Sequence, residues 1–297
     1  FDDERIMQRS DIALYAAKER GRDRVEVFDQ TLATVVEVEQ AQRNMVRDAL
    51  DNNRLAMHFQ PIVGERGQAI GVEALARCID ASGTVVEPAG FLDAIDETSL
   101  IVRLDHQGFR QTCELAATLA QNPATAGLFV SANFSAMTIA QSGFADMVIR
   151  TITEAGAPAQ SLCIELTETA AFEGGSRSAV ALRTLHDAGL RIVLDDFGTG
   201  YSSLSHLRDL PLSSVKIDRS FTTAMRKPGP ERAIASAVKD LAESLGFDVV
   251  VEGVETAEDH KAVRDIGVTA MQGWYFAKAL TTDALMDSLG QRTLVPC

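Results

Sequence analysis

The chain has 297 residues, 46% of them hydrophobic, with 28 Lys and Arg against 42 Asp and Glu, a formal net charge of −14. That length can bury a sizeable core in one large domain or two modest ones. The acidic balance argues against duplex nucleic acid as a partner, because its phosphate backbone would be repelled, so a phosphate ligand has to be met locally by basic groups.

Residues 3 to 20 have helix-forming composition with apolar Ile6, Met7, Ile12, Leu14 and Tyr15, and Gly21 stands where a helix C-terminal cap is expected. Alternating Val25 and Val27 in Arg24 to Phe28 predict a short edge strand ended by Asp29. Gln30 to Leu50 carries a second helical pattern that stops at Asn52-Asn53 and reads as a connecting helix. Beyond it the texture changes to short apolar runs: Leu55 to Ile62, Ala69 to Ala76, Leu128 to Phe134, Leu162 to Leu166, Arg191 to Leu194, Ser214 to Ile217, Asp248 to Val251 and Val268 to Met271. Amphipathic segments such as Ser176 to Ala188 and Glu231 to Leu245 separate most of them, and strands alternating with helices argue for a mostly parallel sheet. Eight such strands suit a closed barrel better than an open sheet. Only the turn Gly64 to Gln68 separates the first two runs, too little for a parallel crossover, so these two are expected to be antiparallel. The expected fold is therefore α/β, a TIM-like (β/α)8 barrel with one antiparallel strand, preceded by a connecting helix.

Several classes are excluded or disfavoured. Cys78, Cys113, Cys163 and Cys297 form no Cys-x-x-Cys pair, which removes a structural zinc or a disulfide framework and suits a reducing cytosol. No run approaches the roughly 18 to 20 apolar residues of a membrane span, and no signal core follows the N-terminus. No GxGxxG or P-loop pattern follows a strand. The first residue is Phe1, so the chain reads as a piece of a longer one.

The acidic residues fall at informative places. Glu73 lies in the second run, and Asn133, Glu165, Asp195 with Asp196, Lys216 with Asp218, Glu252 and Gln272 stand at the ends of the next six. In a parallel barrel those ends open on one face, where active sites sit. A single acid at a strand end is ordinarily a helix cap or a solvated charge. Five carboxylates brought together would repel one another unless cations or raised pKa values relieved them. Oxygen ligands without Cys or His point to hard cations, Mg2+ or Mn2+. Neighbouring residues in a regular strand face opposite ways, so Asp195 and Asp196 can share a site only if the strand ends there, and Gly198 and Gly200 supply a permissive backbone. Two such cations bridged by a carboxylate hydrolyse phosphodiesters in line, and Lys216 could hold the attacking water or stabilise the transition state.

The motifs at these positions give the chain a family likeness. Phe59-Gln60-Pro61-Ile62, Glu73-Ala74-Leu75 followed by Arg77, Ser131 to Ser135 around Asn133, Glu165-Leu166-Thr167-Glu168, Asp195 to Ser203, Lys216 to Phe221, Val251 to Glu255 and Gln272 to Phe276 occur in order. From about Leu50 to Leu289 the sequence resembles the EAL domains of bacterial cyclic-di-GMP signalling. The resemblance implies a phosphodiesterase that linearises cyclic di-GMP to pGpG with two divalent ions, Mg2+ or Mn2+. It implies one ion held by Glu73, Asn133, Glu165 and Asp195, and the other by Asp195, Asp196 and Glu252. Lys216 would contact the water, and the base is left open between Glu252 and a hydroxide on the ions. Gln60, Leu75 and Arg77 match substrate-contacting positions, with Arg77 meeting a phosphate, and Gln272 would support the site and the substrate. Glu168 would steady the Asp195 to Ser203 loop, and Glu255 is treated as support.

Residues 1–29 look like the last helix and strand of a GGDEF domain, which leaves 30–52 as the connecting helix and 53–297 as the EAL phosphodiesterase domain. By the same resemblance the protein is expected to be a cytoplasmic homodimer that presses on the Asp195 to Ser203 loop, with GGDEF and sensory segments and any membrane anchor upstream. Departures from the family are Cys78 in place of Trp, no His-Pro in Asp80 to Thr84, Trp274 in place of Tyr, and Ala279 in place of Pro. None of them is a metal ligand. The competing readings are a catalytically silent cyclic-di-GMP receptor, which lost ligands would mark, and an unrelated metal-dependent barrel hydrolase.

Overall fold

Nine strands form in chain order: β1 (Leu55–Val63), β2 (Ala69–Ile79), β3 (Val85–Val86), β4 (Phe129–Asn133), β5 (Leu162–Thr167), β6 (Arg191–Phe197), β7 (Ser214–Ile217), β8 (Asp248–Val251) and β9 (Ala270–Gln272). This computed structural model describes residues 25–173, 175–198, 210–226 and 229–290, with scattered positions before residue 25. Neighbours run β1-β9-β8-β7-β6-β5-β4-β2-β3, and β1 also pairs with β2, so eight strands close a ring and β3 is an added edge. From β2 through β4 to β9 every neighbouring pair in the ring is parallel, while β1 is antiparallel to β9, with Ile62 opposite Gln272. The expected antiparallel strand is therefore β1.

Contacts divide the chain into two units, residues 1–54 with 78–100, and residues 55–77 with 101–297. In the first, Asp29 accepts from the Leu32 backbone N–H at 2.6 Å and caps α1 (Gln30–Asp51), satisfying a donor that a helix start otherwise leaves open. Val46, Ala49 and Leu50 are buried, and Arg43 donates to the Ala94 carbonyl in α2 (Leu92–Ile95). Cys78 and Ile79 pair antiparallel with β3. The strand expected over Arg24 to Phe28 does not form: residues 25–29 have no regular structure, and Val25 and Val27 are 90% and 78% exposed. Alternation shows which face of a strand could be buried, but a strand exists only with a ladder partner. Most of the helix expected over residues 3–20 lies outside the described residues, though the described positions there are helical.

In the second unit the strands are separated by α3 (Ser99–Ala120), α4 (Ala136–Ile139), α5 (Phe144–Ala155), α6 (Glu168–Glu173), α7 (Gly175–Asp187), α8 (Arg219–Ala224), α9 (Pro230–Ser244) and α10 (Ala257–Asp265), and α11 (Thr282–Leu289) follows β9. The interior strands are covered on both faces, by the barrel lumen and by helices, so Leu162 through Leu166 and Ile192 through Leu194 are buried without alternation. Cys78, Cys113 and Cys163 are buried free thiols that burial pushes up to about 11, 12 and 12, and Cys297 lies outside the described residues. Among the described residues no helix is long and apolar enough to cross a membrane.

Candidate active site

The C-terminal ends of the barrel strands bring their polar side chains to one buried ammonium. Lys216, 1% exposed on β7, places Nζ 2.9 Å from Glu73 Oε2 on β2, 3.0 Å from Glu165 Oε2 on β5 and 2.5 Å from Glu252 Oε1 just after β8. Strand register makes the convergence possible: Asn133 sits beside Glu165, and Lys216 beside Val250, two residues before Glu252. Asn133 donates through Nδ2 to Glu73 Oε1 at 2.8 Å, which turns its carbonyl oxygen away from Glu73. Gln272 donates through Nε2 to Glu73 Oε2 at 2.7 Å and to Gln60 Oε1 at 3.2 Å, and Gln60 donates in turn to the Ala277 carbonyl at 3.1 Å.

Asp195 and Asp196 lie inside β6, which runs on to Phe197 opposite Ile217, so the strand does not end at the pair as expected but is irregular there. Asp196 has φ +55°, and the pairing of β6 with β7 shifts register between Leu194 and Phe197. A left-handed residue at that point interrupts the strict alternation of a regular strand, and of the two carboxylates Asp195 lines the cleft beside the cluster. The Asp196 N–H donates to Asp195 Oδ1 at 2.9 Å, and the Gly198 N–H donates to Glu168 Oε1 at 3.2 Å, so Glu168 holds the first residues after the strand. Gly200 and the stretch to Ser203 lie outside the described residues. Asp218 caps α8 by accepting from the Ser220 N–H at 2.8 Å.

A cleft of ≈ 390 Å³ opens beside this cluster, with Gln60, Glu73, Leu75, Asp195, Glu252 and Gln272 in its wall. Glu255 also lines it, with its N–H donated to Asp259 Oδ2 at 3.2 Å. Arg77 is buried and donates to its neighbour's carbonyl at 2.9 Å, and it is not among the lining residues. Sequence reasoning missed Arg219, Gly253, Gly273 and Trp274 in this wall. Trp274 is 59% exposed, with the Lys278 ammonium 4.8 Å from its ring centre. Its place two residues past Gln272 was the available signal. Gly273 is required by the crossing of two backbones, because a Cβ there would collide with the peptide of Val254.

Charge in the cluster is unbalanced. Burial by itself raises the Glu73 carboxyl, but the Lys216 charge and the bonds from Lys216, Asn133 and Gln272 outweigh it and hold Glu73 below its ordinary value. Burial pushes Glu165 well up, with Glu73 and Asp195 adding to it against Lys216. Burial likewise raises Asp195, Asp196 and Glu252, the last to about 7. Burial would lower Lys216, yet Glu165, Glu252 and Glu73 together raise it well above the usual lysine range. One ammonium thus faces several carboxylates, and the surplus negative charge is of the kind divalent cations neutralise. The donors, carboxylate and amide oxygens, suit Mg2+ or Mn2+ in chemical type. Among the described residues no group of three acidic, His or Cys side chains is arranged to hold a metal ion, and Glu73, Glu165 and Glu252 close on the Lys216 ammonium instead.

A sequence profile of the EAL domain matches residues 43–279. The chain belongs to the EAL-domain family. This EAL domain is 31% identical over 285 residues to the bifunctional diguanylate cyclase/cyclic di-GMP phosphodiesterase MucR of Pseudomonas aeruginosa, a match that covers 96% of this chain and 42% of MucR. It is 30% identical over 287 residues to the cyclic di-GMP phosphodiesterase NbdA of the same organism, covering 96% of this chain and 36% of NbdA. The chain thus spans less than half the length of these curated relatives. Among solved structures, the PaMucR phosphodiesterase in complex with c-di-GMP superposes with a TM-score of 0.78 at 32% identity, covering 82% of this chain and 99% of that one. The barrel, with its single reversed strand, is the fold of an EAL domain.

Proposed function

We propose that this EAL domain hydrolyses one phosphodiester bond of cyclic di-GMP to give linear pGpG. Water adds to phosphorus, the bond from phosphorus to one ribose 3′ oxygen breaks, and that oxygen leaves as the hydroxyl after taking a proton. The observation that carries the reading is the convergence of Glu73, Glu165 and Glu252 from separate strands on buried Lys216 at the barrel mouth, with Asn133 on Glu73. Each residue of the family's ligand set is present, which favours catalysis over a silent receptor.

Two Mg2+ or Mn2+ ions would be held by Glu73, Asn133, Glu165 and Asp195 on one side and by Asp195, Asp196 and Glu252 on the other. When bound they would supply charge neutralisation at the phosphate and a more acidic water. Lys216 would orient the water and offset charge that develops on phosphate oxygens. Glu252, in contact with Lys216, is within reach of a proton from a water held there. Gln60, Leu75 and Gln272 would meet the dinucleotide, as would Arg77 after a rearrangement that brings its guanidinium to the cleft. Glu168 and Glu255 would fix the loops on either side.

Residues 1–29 would be the end of a GGDEF domain, 30–52 a linker helix and 53–297 the phosphodiesterase domain, a division in keeping with the chain's likeness to bifunctional MucR; the cytoplasmic homodimer rests on the family resemblance alone. The deciding experiment is chromatography of cyclic di-GMP after incubation with the protein in Mn2+ and in EDTA. Linear pGpG is expected with Mn2+ only. Intact substrate in both, with cyclic di-GMP bound, would leave a receptor and defeat the enzyme reading.

A further inference from the structure

A buried carboxylate outside the cleft bears on Asn133. Asp105, 6% exposed on α3, accepts three hydrogen bonds at Oδ2: from the Ser135 N–H at 3.0 Å, the Ser135 hydroxyl at 2.8 Å and the Thr138 hydroxyl at 2.5 Å. Ser135 belongs to the turn that leaves β4 after Asn133, and Thr138 to α4, which that turn opens. A carboxylate with this many donors forms charge-assisted bonds, stronger than neutral ones. One helical turn further along α3, Phe109 packs on Phe134 with ring centres 5.2 Å apart, and Phe144 meets the other side of Phe134 at 5.1 Å. Positions four apart share a helix face, so α3 grips residues 134 and 135 with a ring and an acid together. The Phe134 N–H also donates to the Glu165 carbonyl at 2.9 Å.

Capping of α4 does not account for Asp105. Ser135 already performs that task by accepting from the Thr138 N–H at 3.2 Å. What Asp105 adds is a tether between this cap and α3. Asn133 is exposed at the end of β4, and its amide is aimed by its own backbone and by the 2.8 Å bond to Glu73. With residues 134 and 135 clamped, the backbone that carries the Asn133 amide has little freedom.

We propose that Asp105 is a positioning residue that sets the Asn133 amide against Glu73, and through it the affinity of the site for a divalent ion. The assignment rests on the proposed function for the role of Asn133, but the tether itself can be tested without turnover. The variants are Asp105→Asn, which keeps the volume and loses the charge, and Ser135→Ala and Thr138→Val, which each remove one donor. The readouts are Mn2+ affinity by electron paramagnetic resonance, the Asn133 side-chain amide resonance in metal-free 15N-labelled protein, and thermal unfolding. Outer partners bonded to metal ligands typically contribute about 10–100-fold in affinity, and Asp105, whose bonds reach Ser135 and Thr138 next to the Asn133 segment, belongs at the lower end. A loss in that range is expected for Asp105→Asn, with a displaced Asn133 resonance and a cooperative melt, and smaller changes of the same sign for the two hydroxyl variants. An unmoved Asn133 resonance with wild-type Mn2+ affinity in Asp105→Asn overturns the proposal. Should that variant not fold, an unmoved resonance in both Ser135→Ala and Thr138→Val overturns it equally. Absence of hydrolysis in the wild type would reject the enzyme reading, while the resonance still decides the tether.

Discussion

Lys216→Met removes a single positive charge and keeps most of the stem's volume. The ammonium it deletes is 1% exposed and lies within 3.0 Å of three carboxylates. Removing one partner of a buried ion pair costs about 3–5 kcal/mol, because the other charge remains buried and uncompensated. Glu73, with its side chain 7% exposed and its carboxyl held down by Lys216, would be left in that position, whereas Glu165 is already pushed well up and can take a proton, and Glu252 is 22% exposed and can turn toward water. The cost therefore stays within that range and does not multiply by three. For a domain of this size 1 kcal/mol moves Tm by about 2–4 °C, so the variant should melt about 6–20 °C lower in EDTA near neutral pH. Millimolar Mn2+ should restore more stability to the variant than it adds to the wild type, since a ligand that binds only the folded state stabilises it and here also replaces the missing charge. Circular dichroism melts of both proteins in EDTA and in Mn2+ make the comparison. Equal melting temperatures in EDTA would refute the reasoning, because the charge of Lys216 would then not be what makes this carboxylate cluster tolerable.

Glu73→Ala and Asp195→Ala should each take hydrolysis to the floor of the assay, since losing a bound cation forfeits several kcal/mol of transition-state stabilisation, on the order of 10³-fold in rate; retained turnover in either would place the ions on other residues. Trp274 is the chain's single tryptophan and lines the cleft, so titration with cyclic di-GMP in EDTA should give a saturable change in emission. Unchanged emission at concentrations where calorimetry shows binding would put the dinucleotide elsewhere. Burial alone would raise the Asp259 carboxyl, but bonds from Arg226 at 2.6 and 3.0 Å, from Thr256 and from the Glu255 and Thr256 N–H groups hold it below its ordinary value. A depressed carboxylate stabilises fully above its unfolded value of about 3.9 and loses that contribution as pH falls through the lower folded value. Because the Arg226 side chain is 38% exposed and solvent screens the pair, the wild type should exceed Asp259→Asn by only about 1–2 kcal/mol at pH 6, and the gap should narrow below pH ~4 in denaturant melts; a gap that does not change with pH would contradict this.

The barrel strands were legible because each is a short run bounded by turns and covered on two faces. The added edge β3 was not, since two residues carry no periodicity. The segment at 24–28 failed for the opposite reason: Val25 and Val27 alternate, but no described neighbour completes a ladder. At the site, the pair Asp195-Asp196 marked an irregular backbone, but its form was not legible: β6 does not end there and instead carries a left-handed residue at Asp196 before Phe197. Asp218 shows the limit of reading strand-end acids, for it serves as the cap of α8. Full burial of Lys216 could not be foreseen from Ser214-Val215-Lys216-Ile217, because the acids that enclose it come from three other segments. Asp105 was silent for the same reason: its partners lie some thirty residues on, joined to it only by the packing of α3 against the turn after β4.

The reversed direction of β1 alters which half of the strand meets the mouth of the barrel. In an all-parallel ring the first strand starts at the end remote from the chemistry. Here the pairing of Ile62 with Gln272 means that Leu55 begins at the reactive end and the chain descends past Gln60 toward the base. The strand that carries Gln60, a direct hydrogen-bond partner of Gln272 and one step from Glu73, therefore meets the mouth with its leading half. A change in β1 thus needs no long relay through the barrel wall to reach the carboxylates.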